Sequence, residues 1–407
     1  MLVIIEPSGP KSHHARGAEL KLPASKAEIL DALDQARIPY GSGEYQLQHH
    51  RDTPGFMKII LSDNLYNPSL AEMNHLAGRM EQMEEYERDM LDGILQIRGS
   101  YNITDAINAT HNLHRFEYYP GVADDYTLGE VTIDACDGIY EPLGNVPDDL
   151  VDCLDHRKVG ELVRKEYGSV FTQSGYLVPI DSGWDAVYDG QSLSERAVTL
   201  NPTDPIISLR LRPCDYPDEE SYELRLDCPV SESDIDAVLK KYDIHGLYDC
   251  FIQSTQSVIP VLDYAITSDT DIERVNELAA AIKTLGGAQL AKYKAAYELE
   301  VVTDIETAID LARRLDEYDF KQFHSIEEFG RASLAKTGMD IKLAEEYGFD
   351  FDAYGWKAKN DTNVHCMAYG FISRTKGQEQ AVIHEHTEGP GTTEPESDSS
   401  PEQTMSM

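Results

Sequence analysis

Basic residues are scarce in this chain: 35 Lys and Arg stand against 73 Asp and Glu, a net charge of −38 over 407 residues. Nucleic-acid binding draws its affinity from Lys and Arg neutralising phosphates, so this imbalance argues against direct contact with DNA or RNA. Also missing are a His-Glu-x-x-His pair, a Gly-x-x-x-x-Gly-Lys-Ser/Thr loop and a Gly-x-Gly-x-x-Gly turn. Zincin, P-loop and dinucleotide chemistry lose their usual signatures with them. The six cysteines (Cys136, Cys153, Cys214, Cys228, Cys250 and Cys366) form no Cys-x-x-Cys pair. That spacing suits neither a zinc site nor a disulfide framework, and they read as free thiols in a reducing cytoplasm. No segment approaches the roughly 20 apolar residues of a membrane helix. The opening run "MLVII" is too short for a signal peptide.

What is present is a pattern written twice. Met73, Leu76, Ala77, Met80 and Met83 fall on one face of a helix, and Val275, Leu278, Ala279, Ile282 and Leu285 occupy the same five places further on. Without a gap, "ITDAINATHNLHRFEYY" from Ile103 lies over "IETAIDLARRLDEYDFK" from Ile305, pairing Ala106 with Ala308, Ile107 with Ile309 and Leu113 with Leu315. Upstream, "ELKL" at Glu19 answers "ELRL" at Glu223. Each is followed by a helix-opening Ser-x-x-acid box, Ser25 with Glu28 and Ser231 with Asp234. Downstream, Gly160 lies over Gly355 and Gly175 over Gly370. The reading is a tandem duplication, with copy 1 at residues 1–180, a linker at 181–204, copy 2 at 205–375 and a disordered acidic tail at 376–407. Paired strands are expected at "LVIIE" and "AELKL", and at "IISLRLR" and "YELRL", with helices after them, so the fold class is α+β.

The acid excess is shared evenly. Residues 1–180 hold 29 acids and 15 bases and residues 205–375 hold 32 and 18, an excess of 14 in each. B-DNA carries one charge per about 1.7 Å of axis, and carboxylates one turn apart on a helix can approach such a spacing. Solubility or salt adaptation would also account for the acidity. In copy 1 the stretch "EQMEEYERDMLDG" places Glu81, Glu84, Glu85, Asp89 and Asp92 along one flank of a helix. In copy 2 the acids gather at Asp304, Glu306, Asp310, Asp316, Glu317, Asp319, Glu327 and Glu328. The ordinary reading of each of these is a solvated helix face.

Metal chemistry finds little support. Asp269 and Asp271 in "SDTD" lack the Gly and closing Glu of a calcium loop and read as a helix cap. His384, Glu385 and His386 alternate ligand types but sit in the expected tail, and the pairs His13–His14 and His49–His50 read as surface residues. No catalytic residue, cofactor or metal is expected.

Taken in order, "GEYQLQHHRDTPGF", the helix from Met73, "DAINATHNLHRFEYY" and "LDHRKVGELVRKEYGSVFTQSGYLV" resemble the ArdA-type antirestriction proteins of conjugative plasmids and transposons. Of that family's Asp-Tyr-Glu-Gly-Phe motif, Asp52, Gly55 and Phe56 are kept, while Thr53 and Pro54 depart from it. The resemblance implies an elongated protein of small α/β and helical subdomains. It also implies mimicry of bent B-form DNA and blockage of type I restriction-modification enzymes at their DNA-binding site. Single-copy members associate as dimers, so a tandem chain would be an intramolecular pseudo-dimer or form a homodimer. The competing reading is an acidic, non-catalytic adaptor of a conjugative element, with its charge in one patch beside apolar anchors.

Overall fold

Alternation of apolar and polar residues builds the first sheet. In the computed structural model, which describes residues 1–8, 17–38, 43–51, 53–62, 67–135, 143, 146–151, 153–191, 205–214 and 224–375, strand β1 (Leu2–Pro7) pairs antiparallel with β2 (Ala18–Lys21), Val3 opposite Leu20. Helix α1 (Lys26–Gln35) then opens at Ser25 with the expected capping box, closed by Glu28. Strand β3 (Tyr45–His49) takes the other edge of β1, giving the order β2-β1-β3. Helices α2 (Gly55–Ser62), α3 (Leu70–Glu81), α4 (Glu85–Arg98) and α5 (Ile103–Ala109) follow. Met73, Leu76, Ala77 and Met80 of α3 are buried as their spacing predicts.

A second sheet divides two cores. Strand β4 (Phe116–Pro120) is followed by α6 (Asp125–Ala135), α7 (Asp148–Val151), α8 (His156–Tyr167), β5 (Val170–Phe171) and β6 (Gly175–Pro179), in sheet order β4-β6-β5. Leu177 of β6 lies in the main core with Ile94, whereas its neighbour Tyr176 joins Val159 and Val163 beneath the helix bundle. Period-2 geometry thus lets one strand serve both layers.

The second half presents the same succession. Strands β7 (Ile207–Pro213) and β8 (Leu224–Cys228), helix α9 (Glu232–Lys241) and strand β9 (Cys250–Ser257) form a sheet of order β8-β7-β9 with its helix. A 3-10 turn at Pro260–Tyr264 stands where α2 stands in the first half. Then come α10 (Ile272–Lys283), α11 (Gly287–Glu300), α12 (Ile305–Arg313), β10 (Tyr318–Lys321), α13 (Ile326–Lys336), α14 (Ile341–Glu346), α15 (Phe351–Asp361), β11 (His365–Met367) and β12 (Gly370–Arg374). Helices α3 and α10 both have 12 residues, and α4 and α11 both have 14. The clamps recur too. The Asn74 amide bonds both backbone groups of Ala24 (2.7 and 2.9 Å), and Asn276 does the same for Val230 (2.8 and 3.0 Å). The α+β class holds in both halves.

The paired glycines Gly160 and Gly355 have a packing reason. Helices α6 and α8 approach so closely that a Cβ on Gly160 would collide with the carbonyl oxygen of Asp125, and one on Gly129 with that of His156. In α13 and α15, Gly330 and Gly355 meet the carbonyls of Phe351 and Ile326 in the same way.

Residues 181–191, expected as linker, are strapped to the first half. Asn108 bonds the backbone N–H and C=O of buried Tyr188 (2.8 and 2.9 Å), and the Tyr188 hydroxyl donates to Glu72 (2.8 Å). Trp184 lies under the Arg98 guanidinium at 3.7 Å. Residues 192–204, the tail 376–407, His13, His14, Asp52, Cys136, His384, Glu385 and His386 lie outside the described residues.

The halves meet through α1. Its inner face, Ile29, Ala32 and Leu33, packs into its own core, while Asp31 and Asp34 face α11. There the Lys294 ammonium, 1% exposed, is 2.7 Å from a carboxylate oxygen of each. Gln35 and the Tyr369 hydroxyl also donate to Asp31 (2.8 and 3.2 Å). Past the helix end, Arg37 donates to the carbonyl oxygens of Phe323 and Met367 and lies over the Phe371 ring. At the rim of the joint, burial pushes the Asp263 carboxyl up to about 6, opposed by bonds from Ser257 and reinforced by Glu28 of α1.

Three outcomes follow for stability measured by chemical denaturation. An Ala in place of a helical Gly ordinarily stabilises by roughly 0.5–1 kcal/mol, but Gly355→Ala must push two backbones apart and is expected to destabilise by about 3 kcal/mol. Lys294→Met leaves two carboxylates buried without their cation and is expected to cost about 3–5 kcal/mol. A Lys294→Met/Asp31→Asn/Asp34→Leu chain, which buries no charge there, should recover most of that loss. Asp263 holds its proton more tightly folded than unfolded, so its cost is full above pH 6 and fades as pH falls toward 3.8. Asp263→Asn is therefore expected to stabilise most at neutral pH, with the gap to wild type closing in mild acid.

Candidate functional site

The acids of the first half do not share one helix. The chain turns at 82–84 between α3 and α4, because Glu84 adopts the extended backbone of an N-cap (ψ 162°) and its N–H is taken by Glu87 (2.9 Å). The single acidic helix flank expected over Glu81–Asp92 is thus replaced by two helices, with Glu81 closing α3 and Glu85 opening α4. A carboxylate in a first turn also meets the positive end of the helix dipole, which favours the break at this place. Glu81, Glu84 and Glu85 are all exposed.

Asp89 and Asp92 have other surroundings. Asp89 accepts from the Tyr118 hydroxyl (2.7 Å), the Ser174 hydroxyl (2.9 Å), the Thr172 hydroxyl and the backbone N–H groups of Gln173 and Ser174 (both 3.1 Å). Burial raises its pKa, but the bonds from Thr172, Tyr118 and Ser174 outweigh that and hold the carboxyl below the usual range. It ties the β5–β6 turn to α4. Asp92, partly buried, is pushed up by that burial and by the nearby charge of Asp89. Among the described residues it has no hydrogen bond or ion pair.

In the second half the eight acids divide by partner. Asp304 caps α12, accepting from the Thr307 N–H (2.9 Å) and hydroxyl (2.7 Å), which lower its pKa. Glu306 is held low by Arg274, whose Nε lies 2.6 Å away. Glu317 pairs with Arg314 (3.3 Å), Glu327 with Arg331 (2.9 Å), and Glu328 accepts from the His324 backbone (2.8 Å). Asp310, Asp316 and Asp319 are exposed and, among the described residues, bear no ion pair. They follow one another along α12, the 3-10 turn Leu315–Glu317 and β10. At the positions matching Asp310 and Asp316 the first half has Asn108, under the strap, and exposed His114.

The structure therefore leaves six exposed, uncompensated carboxylates from the thirteen candidates: Glu81, Glu84 and Glu85 in one half, Asp310, Asp316 and Asp319 in the other. Among the described residues no group of three or more His, Cys, Asp or Glu side chains can hold a metal ion. Asp271 caps α10 through the Glu273 N–H (2.9 Å) as its sequence predicts. The five described cysteines are free. No helix among the described residues is long and apolar enough to cross a membrane. The residues that sequence reasoning missed are those of the joint, Asp31, Asp34, Arg37 and Lys294. Their only signal was two acids spaced i, i+3 among the apolar residues of α1, a pattern that does not name its partner.

No curated protein and no solved structure matches the chain. Residues 221–373 match the family model described as antirestriction protein (ArdA). That span contains every element from β8 to β11 and nearly all of β12, with Asp310, Asp316 and Asp319 inside it. The likeness to the ArdA antirestriction proteins thus covers the C-terminal part of the chain.

Proposed function

We propose that this protein is a tandem two-copy antirestriction protein of a mobile element, acting in the cytoplasm. In this reading it mimics B-form DNA and inhibits type I restriction-modification enzymes by occupying their DNA-binding site. One observation carries the reading: the span that matches antirestriction proteins belongs to a chain with a net charge of −38, shared evenly between two halves of the same element order. A cleft built to neutralise phosphates is lined with Lys and Arg, and a chain with uncompensated carboxylates competes for them without catalysing anything. Glu81, Glu84, Glu85, Asp310, Asp316 and Asp319 serve as phosphate surrogates. Paired acids such as Glu306 and Glu327 present less net charge. The joint at Lys294 holds both halves in one piece, so one binding event brings two acidic surfaces to the enzyme.

The test mixes the purified chain with a type I restriction-modification enzyme bound to its target DNA and follows DNA release at several salt concentrations. Displacement is expected, and it should weaken steeply as salt rises. A charge track shares its effect over many groups. Asp316→Asn alone is therefore expected to change the inhibition constant less than about threefold, and the Asp310→Asn/Asp316→Asn/Asp319→Asn chain about tenfold or more, since each lost contact acts through the same electrostatic attraction. A single replacement that abolished inhibition would overturn distributed mimicry. No displacement from several such enzymes at low salt would favour the acidic adaptor.

A further inference from the structure

The joint between the halves uses α1 of the first and α11 of the second, and each has a counterpart on an outer surface of the molecule. The counterpart of α1 is α9: both have 10 residues, both start at a capping Ser, and both are followed two residues on by a left-handed residue, Arg37 (φ 60°) and Asp243 (φ 55°). The counterpart of α11 is α4, of equal length and likewise ended by a left-handed residue, Val301 and Gly99. Asp34 is the ninth residue of α1 and Lys240 the ninth of α9. Lys294 is the eighth residue of α11 and Asp92 the eighth of α4. The pair that closes the internal joint thus recurs on the outer surfaces with its signs exchanged.

From this we infer that a second copy of this chain is the partner of α9: Lys240 of one molecule meets Asp92 of another, repeating the internal joint head to tail. Coverage agrees. Seven residues of α1 are buried, and none of α9 is: Ile235 and Val238 pack against their own core from the helical places of Ile29 and Ala32, and most of the rest of the helix is open. Asp92 lies partly buried without an ion pair among the described residues, and Lys240 is exposed, also without one. The remaining positions change in concert. Where Tyr369 donates to Asp31 inside the chain, the outer surfaces carry Ser174 and Ala237, so neither a donor nor an acceptor is left buried alone. Asp243 replaces Arg37, so the carbonyl clasp is absent and the outer joint is the weaker of the two. A heterologous contact of this kind generates rings or rows of molecules rather than two-fold dimers. The inference goes beyond the proposed inhibition and does not require it.

Sedimentation velocity of the full chain over a concentration series, at physiological ionic strength so that long-range repulsion between the acidic molecules is screened beyond about 8 Å, tests it with no restriction enzyme present. Concentration-dependent association past the dimer is expected. Lys240→Glu and Asp92→Lys should each weaken it about tenfold or more, because each sets like charges opposite one another. An equimolar mixture of the two variants should associate again, since each supplies the charge that the other lacks. Lys240 is exposed, so that variant keeps its fold, and circular dichroism melting checks both. A chain that stays monomeric throughout, an association that ignores both substitutions, or a mixture that fails to recover would overturn the inference.

Discussion

One ammonium holding two carboxylates out of water organises this molecule. Lys294 lies between Asp31 and Asp34 at 2.7 Å from each, and each half takes its counter-charge from the other. Desolvating three charges costs several kcal/mol per ion, which only good geometry and further hydrogen bonds offset. Tyr369 and Gln35 supply those bonds. The interaction therefore specifies more than it stabilises, because any other seating of α1 on the second half would strand a buried charge. Around it the remaining contacts, the Arg37 clasp and the Asp263 rim, fall into register.

That joint also governs how the acidity is deployed. Two of the acids and one of the bases in the overall count are consumed inside the molecule, and several others neutralise Arg274, Arg314 and Arg331 on the surface. Net charge is thus a poor guide to which carboxylates face a partner. Composition reports an excess, whereas exposure and pairing decide where it is felt. The six free carboxylates lie on surfaces made by different elements in the two halves, although the underlying element order is the same.

Much of the fold was legible in the sequence because local chemistry dictates it. Met73 through Met80, the Ser25 box and the Asp271 cap all act within one helix or turn, and period 3.6 and cap spacing are written directly into the chain. Gly160 and Gly355 were visible as a repeated position, yet their reason, backbone contact between two helices, needed coordinates. The acidic stretch from Glu81 to Asp92 misled because unbroken helical spacing hides a break. Glu84 is an unusual N-cap residue, and charge patterns do not mark where one helix stops and the next begins. At the second capping box, Ser231 accepts from the Asp234 N–H, but the shorter Asp side chain reaches the Ser231 hydroxyl (2.7 Å) where Glu28 reaches the Ser25 backbone. The joint was illegible, since a partner about 260 residues away leaves no periodicity to read.

The glycine crossings of α6 with α8 and of α13 with α15 carry a different lesson. The close approach there is between main-chain atoms at four glycines, above a small apolar core, so side chains on the outer faces of these bundles take no part in it. Such faces can exchange one residue type for another across generations at little structural cost. Those two bundles thus offer the molecule surface that can be revised without disturbing the contact that joins their helices.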